Sequence, residues 1–274
     1  MKFSFSTLGC PSWSLGQIVE NAANYGYDAL ELRLLDGEVL DPVKDATKIK
    51  QAIARIRERG LDVCALDTSC RFNISKREER ERQIADARNW IALAQETQVG
   101  LLRVFGGNLK EEPQPTIEQQ DGWMIESLRE VAQTAEQAKI IVALETHDAF
   151  NSPGRVANIL RTVNSPYIKA LWDSHHPYRT GASAEAVIRT LGDYLGPVVH
   201  IKDARKKDPN ADTWQLVLMG EGEVPVREML LGLKQHNYNG YVSVEWEKKW
   251  HPEIEEPEVA LPQHIRWLKQ LLGS

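Results

Sequence analysis

Eight short apolar runs separated by longer stretches of helical periodicity constrain the fold of this chain more than any other feature. The runs are Phe3 to Leu8, Ala29 to Leu34, Val63 to Thr68, Leu101 to Phe105, Ile140 to Thr146, Ile168 to Asp173, Val198 to Lys202 and Tyr241 to Trp246. A strand that leads through a helix to the next strand builds a parallel sheet. Helical spacing is plain in Ile49, Ile53 and Ile56 ahead of Gly60, and in Ile84, Ala87, Ile91 and Ala94 ahead of Gly100. It recurs in Ile125, Leu128, Val131 and Ala135, and again in Leu261, Ile265, Leu268 and Leu272. Pro153 and Pro225 stand where a first helical turn would open, and the stretch from Ala184 reads as a further helix.

Eight such units in 274 residues match a closed (βα)8 TIM barrel, an α/β fold that needs about 250 residues. An open doubly wound sheet would show a glycine-rich first βα turn, and no GxGxxG or GxxxxGK[ST] occurs here. Gly106, Gly107, Gly220 and Gly222 read as loop glycines. No Gly/Ser tract or Pro-rich linker marks a seam, so residues 1–274 are expected to form a single domain.

A net charge of −6 argues against a nucleic-acid partner, because a surface that follows a polyanion carries a basic stripe. Met1 is followed directly by KFSFSTLGC, and no run approaches about 18 apolar residues, so a cytoplasmic protein with no membrane partner is expected. Cys10, Cys64 and Cys70 are odd in number and lack CxxC spacing, which fits ordinary buried thiols better than a disulfide framework or a zinc knuckle.

Four of the runs end on a residue that an apolar strand gains nothing from carrying. They are Glu145 in IIVALETH, Asp173 in IKALWDS, His200 in VVHIKD and Glu245 in YVSVEWE. A bare buried charge costs several kcal/mol unless it is neutralised or coordinated. In a parallel barrel the carboxyl ends of the strands build the active site. Two Glu, one Asp and one His there make a donor set suited to one divalent ion, with Mn, Mg, Co and Zn all admissible. Side chains alternate along a strand, so His147 shares a face with Glu145, Lys202 with His200, Glu247 with Glu245, and Arg33 with Glu31.

LETH around Glu145, WDSHH around Asp173, HIKD around His200 and VEWE around Glu245 resemble the xylose isomerase-like TIM barrel superfamily, particularly its sugar phosphate isomerase/epimerase members. LELR at Glu31 and GEGEVP from Gly220 extend the resemblance over the whole chain. It implies that Glu145, Asp173, His200 and Glu245 hold one divalent metal, that Glu145 and Glu245 are also the catalytic acid/base pair, and that His176 contacts substrate. The implied partner is a small sugar or polyol. Members often form dimers or tetramers through loops near the barrel mouth, so a homo-oligomer is among the expectations. The superfamily's DNA-repair endonucleases add histidines at the ends of the third and fourth strands. Here those ends read LeuAspThrSerCys and ValPheGlyGly, which points to one metal rather than three.

Further substrate contacts are expected from Lys202, Arg205, His147, Glu31 and Trp13. Each has an ordinary alternative: a solvated ion pair for Arg205, a salt bridge between Glu31 and Arg33, a satisfied core histidine for His147. Trp13, Phe105 and Trp246 are candidates for an apolar wall under a sugar, or plain core aromatics. His236, His251 and His264 read as surface residues. The leading function is a metal-dependent keto-sugar isomerase or epimerase working through an enediolate. The alternatives are a lyase or dehydratase acting on a keto-inositol, a dehydroshikimate-like acid or a 3-keto-glycoside, and a sugar-binding barrel without catalysis.

Overall fold

Lys2–Ser6 forms β1, Ala29–Leu32 β2, Asp62–Arg71 β3 and Leu101–Phe105 β4. Ile141–Glu145 forms β5, Ile168–Asp173 β6, Leu195–Ile201 β7 and Tyr241–Val244 β8. A computed structural model of the chain describes residues 1–110, 113–208 and 210–273. The eight strands are parallel, each beside the next, and close as β8 pairs with β1. The expected (βα)8 TIM barrel is therefore present.

The outer ring is α1 (Leu15–Tyr25), α2 (Ala46–Glu58), α3 (Arg77–Thr97), α4 (Ile117–Ala138), α5 (Pro153–Val163), α6 (Ala184–Leu191), α7 (Val226–Gln235) and α8 (Pro257–Leu272). Local chemistry sets their ends. Ser14 with Gln17 and Thr116 with Gln119 form capping boxes that open α1 and α4, and Ser152 followed by Pro153 opens α5. Each such cap contributes about 1 kcal/mol. Gly26 closes α1 at φ 86, a conformation that favours glycine.

Two apolar clusters hold the barrel. The large one lies between strands and helices and includes Phe3, Phe5, Leu30, Leu66, Val104, Leu144, Val199 and Val242. The small one fills the barrel floor with Ala29, Cys64, Ala65, Leu101, Ala143, Leu171 and Val198. Strand alternation then dictates what stands above that floor. Glu31 follows Ala29 on its face, Arg103 follows Leu101, Glu145 follows Ala143, Asp173 follows Leu171, and His200 follows Val198. Register puts Asp173 beside His200 and His200 beside Ser243.

Two differences from the sequence have physical reasons, a hairpin and a buried histidine. The 203–217 stretch, irregular in sequence, pairs Asp203–Lys206 antiparallel with Trp214–Val217 as a hairpin. The loop glycines beyond it are structural: Asp203 accepts the backbone N–H of Gly220, Gly222 and Val224, and a Cβ on Gly222 would fall 2.0 Å from Asp203 Oδ1. His264, read as a surface residue, is only 1% exposed on α8 and packs edge-on against Trp246. Its place between Leu261 and Leu268 on the apolar face is the reason. Among the described residues no helix is long and apolar enough to cross a membrane.

Candidate metal centre

Ligand atoms of Glu145, Asp173, His200 and Glu245 lie within 4.8 Å of one another, and all four residues are buried at the carboxyl ends of β5 to β8. Glu245 stands one residue past β8, pinned by its own N–H to the Ile201 carbonyl at 3.0 Å. Asp173 is aimed by the turn that follows β6: its Oδ1 accepts the N–H of His175 at 2.7 Å and of His176 at 3.0 Å. That leaves Asp173 Oδ2 without a hydrogen bond, and Glu145 Oε2 is also buried without one. Clustered carboxylate oxygens that meet only the Lys202 and Arg103 cations, with an imidazole beside them, fit a divalent ion. Glu145, Asp173, His200 and Glu245 are the residues that would hold it.

His200 is the hub. Its Nδ1 donates to Glu145 Oε1 at 3.0 Å and lies 3.4 Å from Glu245 Oε1, while its Nε2 donates to Glu31 Oε2 at 2.8 Å. Burial opposes charge on this ring, but Glu31, Glu245 and Glu145 together push its pKa well above the ordinary histidine value. Burial likewise opposes charge on Glu245, and the Lys202 ammonium with His200 overrides it, holding the carboxyl well below the usual range. For Asp173 burial wins over Lys202, and its pKa rises to about 6.

Lys202 Nζ donates to Glu245 Oε2 at 2.5 Å and Glu247 Oε1 at 2.6 Å, and forms an ion pair with Asp173 Oδ2 at 3.0 Å. The alternation argument thus brings Lys202 and Glu247 to the centre, with Lys202 as its counter-cation. Glu31 is fully buried beneath His200 and reaches the centre through that ring.

The His147 and His176 rings meet at a tilt of 46° with centroids 3.8 Å apart, and Phe105 lies 5.2 Å from His147. Burial, then Lys202 and His147, push His176 well below its ordinary value, so it is neutral. Asp148, 3.2 Å from His147 Nδ1, occupies the left-handed region at φ 51, which Asp tolerates better than most residues. Arg205 is exposed on the hairpin opposite Gln215. Trp13 is 3% exposed and donates its indole N–H to Glu258 at 2.7 Å, while Trp246 donates to the Glu255 carbonyl at 3.0 Å.

Asp67 and Arg103 were not singled out in the sequence, yet both are buried in the lumen. Arg103 Nε lies 3.4 Å from Glu145 Oε2 and 3.7 Å from Asp67 Oδ1. Asp67 and Glu31 hydrogen-bond to one another; burial and the Glu31 charge push Asp67 well above the carboxylate range, so the pair shares a proton. The signal was available: a lone charge at an inward position of LLRVF and of CALDT.

A family model described as xylose isomerase-like TIM barrel matches residues 19–271. D-psicose 3-epimerase of Ruminiclostridium cellulolyticum is 29% identical over 137 residues, which cover 47% of this chain and 43% of that protein, less than half of each. Fructoselysine 3-epimerase of Shigella flexneri is 23% identical over 282 residues, covering 99% of this chain and 98% of that protein. The solved structure of an IolI protein with a bound zinc atom superposes with a TM-score of 0.83 at 18% identity, covering 100% of this chain and 98% of that one.

Proposed function

The chain belongs to the xylose isomerase-like TIM barrel family, and on that premise we propose that it is a divalent-metal-dependent keto-sugar isomerase or epimerase. The observation that carries the reading is the convergence of Glu145, Asp173, His200 and Glu245 at the carboxyl ends of four successive strands. That both curated relatives are 3-epimerases supports epimerisation over aldose/ketose exchange.

A divalent ion in this donor set supplies Lewis acidity, polarising a substrate carbonyl and its neighbouring hydroxyl so that the C–H between them becomes acidic. The chain's own residues do the rest. Glu145 and Glu245 are both held below the ordinary carboxylate pKa, so either is ionised and able to take a proton at pH 7. They come from β5 and from the end of β8, strands separated by β6 and β7, and so approach a bound substrate from different sides. The ionised one removes the α-proton, and the other, after taking up a proton from solvent, delivers it to the opposite face, which inverts that carbon and leaves the first glutamate to return its proton to solvent. Glu31 fixes the orientation of His200 through its Nε2–H. Neutral His176, tilted against His147, offers a hydrogen-bonding edge to substrate hydroxyls.

Incubating the metal-loaded protein with a panel of free ketoses in D2O tests this. Deuterium at the carbon α to the carbonyl, with product of unchanged composition, is expected; loss of water or of an alcohol from the product would instead identify a lyase, and absence of exchange with every sugar would remove the reading.

A further inference from the structure

Beside the metal centre, over the mouth of β2, β3 and β4, lies a cavity of about 730 Å³. It is larger than the reacting end of a sugar requires, since such volumes accommodate whole drug-sized ligands. Phe105 and Asp148 wall it on the side of His147, and Arg33 lines its base within reach of the Glu145 and Glu245 charges. The cavity thus borders the residues that stand beside the metal centre.

Its polar lining is unevenly satisfied. Of the acids, Glu79 faces Lys76 at 3.4 Å, and Asp148 accepts from Asn108 at 3.0 Å while lying 3.2 Å from His147. The cations have no such partners. Arg33, 9% exposed, spends Nη1 on the Asp67 carbonyl at 3.1 Å and Ser69 Oγ at 2.9 Å, which leaves Nε and Nη2 without a hydrogen bond to any described residue. The Arg71 guanidinium makes no hydrogen bond or ion pair with any described residue, while its stem runs along Gly107, where a Cβ would come within 3.3 Å. Lys110 adds charge at the rim. Asn73, 1% exposed, uses its amide N–H groups on the Gly107 carbonyl and Gln120 Oε1, and its buried Oδ1 accepts from nothing. Guanidinium donors left free beside compensated acids select an anion with planar or tetrahedral oxygens.

We propose that this cavity receives the distal end of an extended keto-sugar carrying an anionic group, a carboxylate or a phosphate. Arg33 and Arg71 bind the anion. The inference rests on the reading of the metal centre given above, and its test separates the two. Matched ketoses in neutral, carboxylate-ended and phosphorylated forms are compared by α-carbon deuterium exchange on the metal-loaded enzyme. One anionic form should exceed the neutral form by about tenfold or more in kcat/KM, the effect of a charge-assisted hydrogen bond, and which one does so identifies the anion. Arg71→Ala should erase that preference through KM and leave the neutral ketose within about twofold. Equal turnover of all three forms, or a preference that survives Arg71→Ala, overturns the proposal. If no ketose exchanges at all, titration with inorganic phosphate decides: binding to the wild type that is lost in Arg71→Ala upholds the anion subsite without the isomerase reading, and phosphate binding indifferent to Arg71 overturns it.

Discussion

On the Nδ1 side of His200 stand Glu145, Asp173 and Glu245; on the Nε2 side stand Glu31 and Asp67. Both groups bring their ligand atoms within 4.8 Å of one another, and both are buried. Their counter-charges differ. Above, Lys202 balances three carboxylates with one ammonium on a flexible stem, and Glu145 Oε2 and Asp173 Oδ2 keep no hydrogen bond. Below, Asp67 carries a proton it shares with Glu31 and Ser6 donates to Asp67 at 3.2 Å, while the Arg103 guanidinium stands between the two sides, 3.4 Å from Glu145 Oε2 and 3.7 Å from Asp67 Oδ1. Buried carboxylate oxygens without a hydrogen bond occur on both sides, Glu31 Oε1 and Asp67 Oδ1 included, so what separates them is that the lower pair holds a proton between its two carboxyls while the upper acids face Lys202. Spacing alone does not define a metal site; the charge state of the acids and the identity of their partners do.

The largest effect that can break this contrast is expected from Glu245→Gln. Loss of one ligand charge should lower turnover by about a thousandfold or more, roughly 4 kcal/mol of barrier, with an unchanged far-UV CD spectrum showing that the barrel remains. Next in size is Glu31→Gln, which keeps the shape under His200 but removes the charge that orients its Nε2–H. Metal affinity, read by competition with a chromophoric chelator, should fall about 10- to 100-fold.

A smaller effect is the pH dependence of binding. Because Asp173 has a folded pKa raised from 3.8 to about 6, protons compete with the metal below pH 6. His200 must also give up its Nδ1 proton to the metal and its pKa lies well above the ordinary value, so affinity should keep rising with pH above 6 and fall more steeply beneath it as Asp173 is protonated as well. The sign for the metal-free protein follows from the same shift. A raised carboxyl pKa stabilises the fold below the unfolded value and loses that contribution as pH rises through the folded one, so about 3 kcal/mol is lost between pH 3.8 and 6. The smallest effect belongs to Asp67→Asn, where a neutral amide replaces a neutral carboxyl, and metal affinity should move less than about threefold.

The two sides also differ in how well the sequence displayed them. Glu145, Asp173, His200 and Glu245 end their apolar runs, where a charge interrupts hydrophobicity and invites explanation. Arg103 and Asp67 sit inside theirs, and a single charge flanked by Leu, Val or Ala reads as noise unless the alternation of Leu101, Arg103 and Phe105 into one lumen is followed. All eight strands were legible because each is nearly continuous in apolar residues, as strands covered on both faces must be. Their ends were less so: β3 continues to Arg71 and β8 stops at Val244. The hairpin Asp203–Lys206 with Trp214–Val217 was not legible, since Arg205, Lys206 and Gln215 give it no apolar face. His264 shows the opposite failure, a polar residue whose helical position outweighs its chemistry.

Elemental analysis of the protein after metal loading and desalting tests the contrast most directly. One divalent ion per chain is predicted for the wild type and for Asp67→Asn, and well under one for Asp173→Asn. Two ions per chain in the wild type, or loss of the ion in Asp67→Asn with retention in Asp173→Asn, would contradict the assignment of the metal to the Nδ1 side of His200.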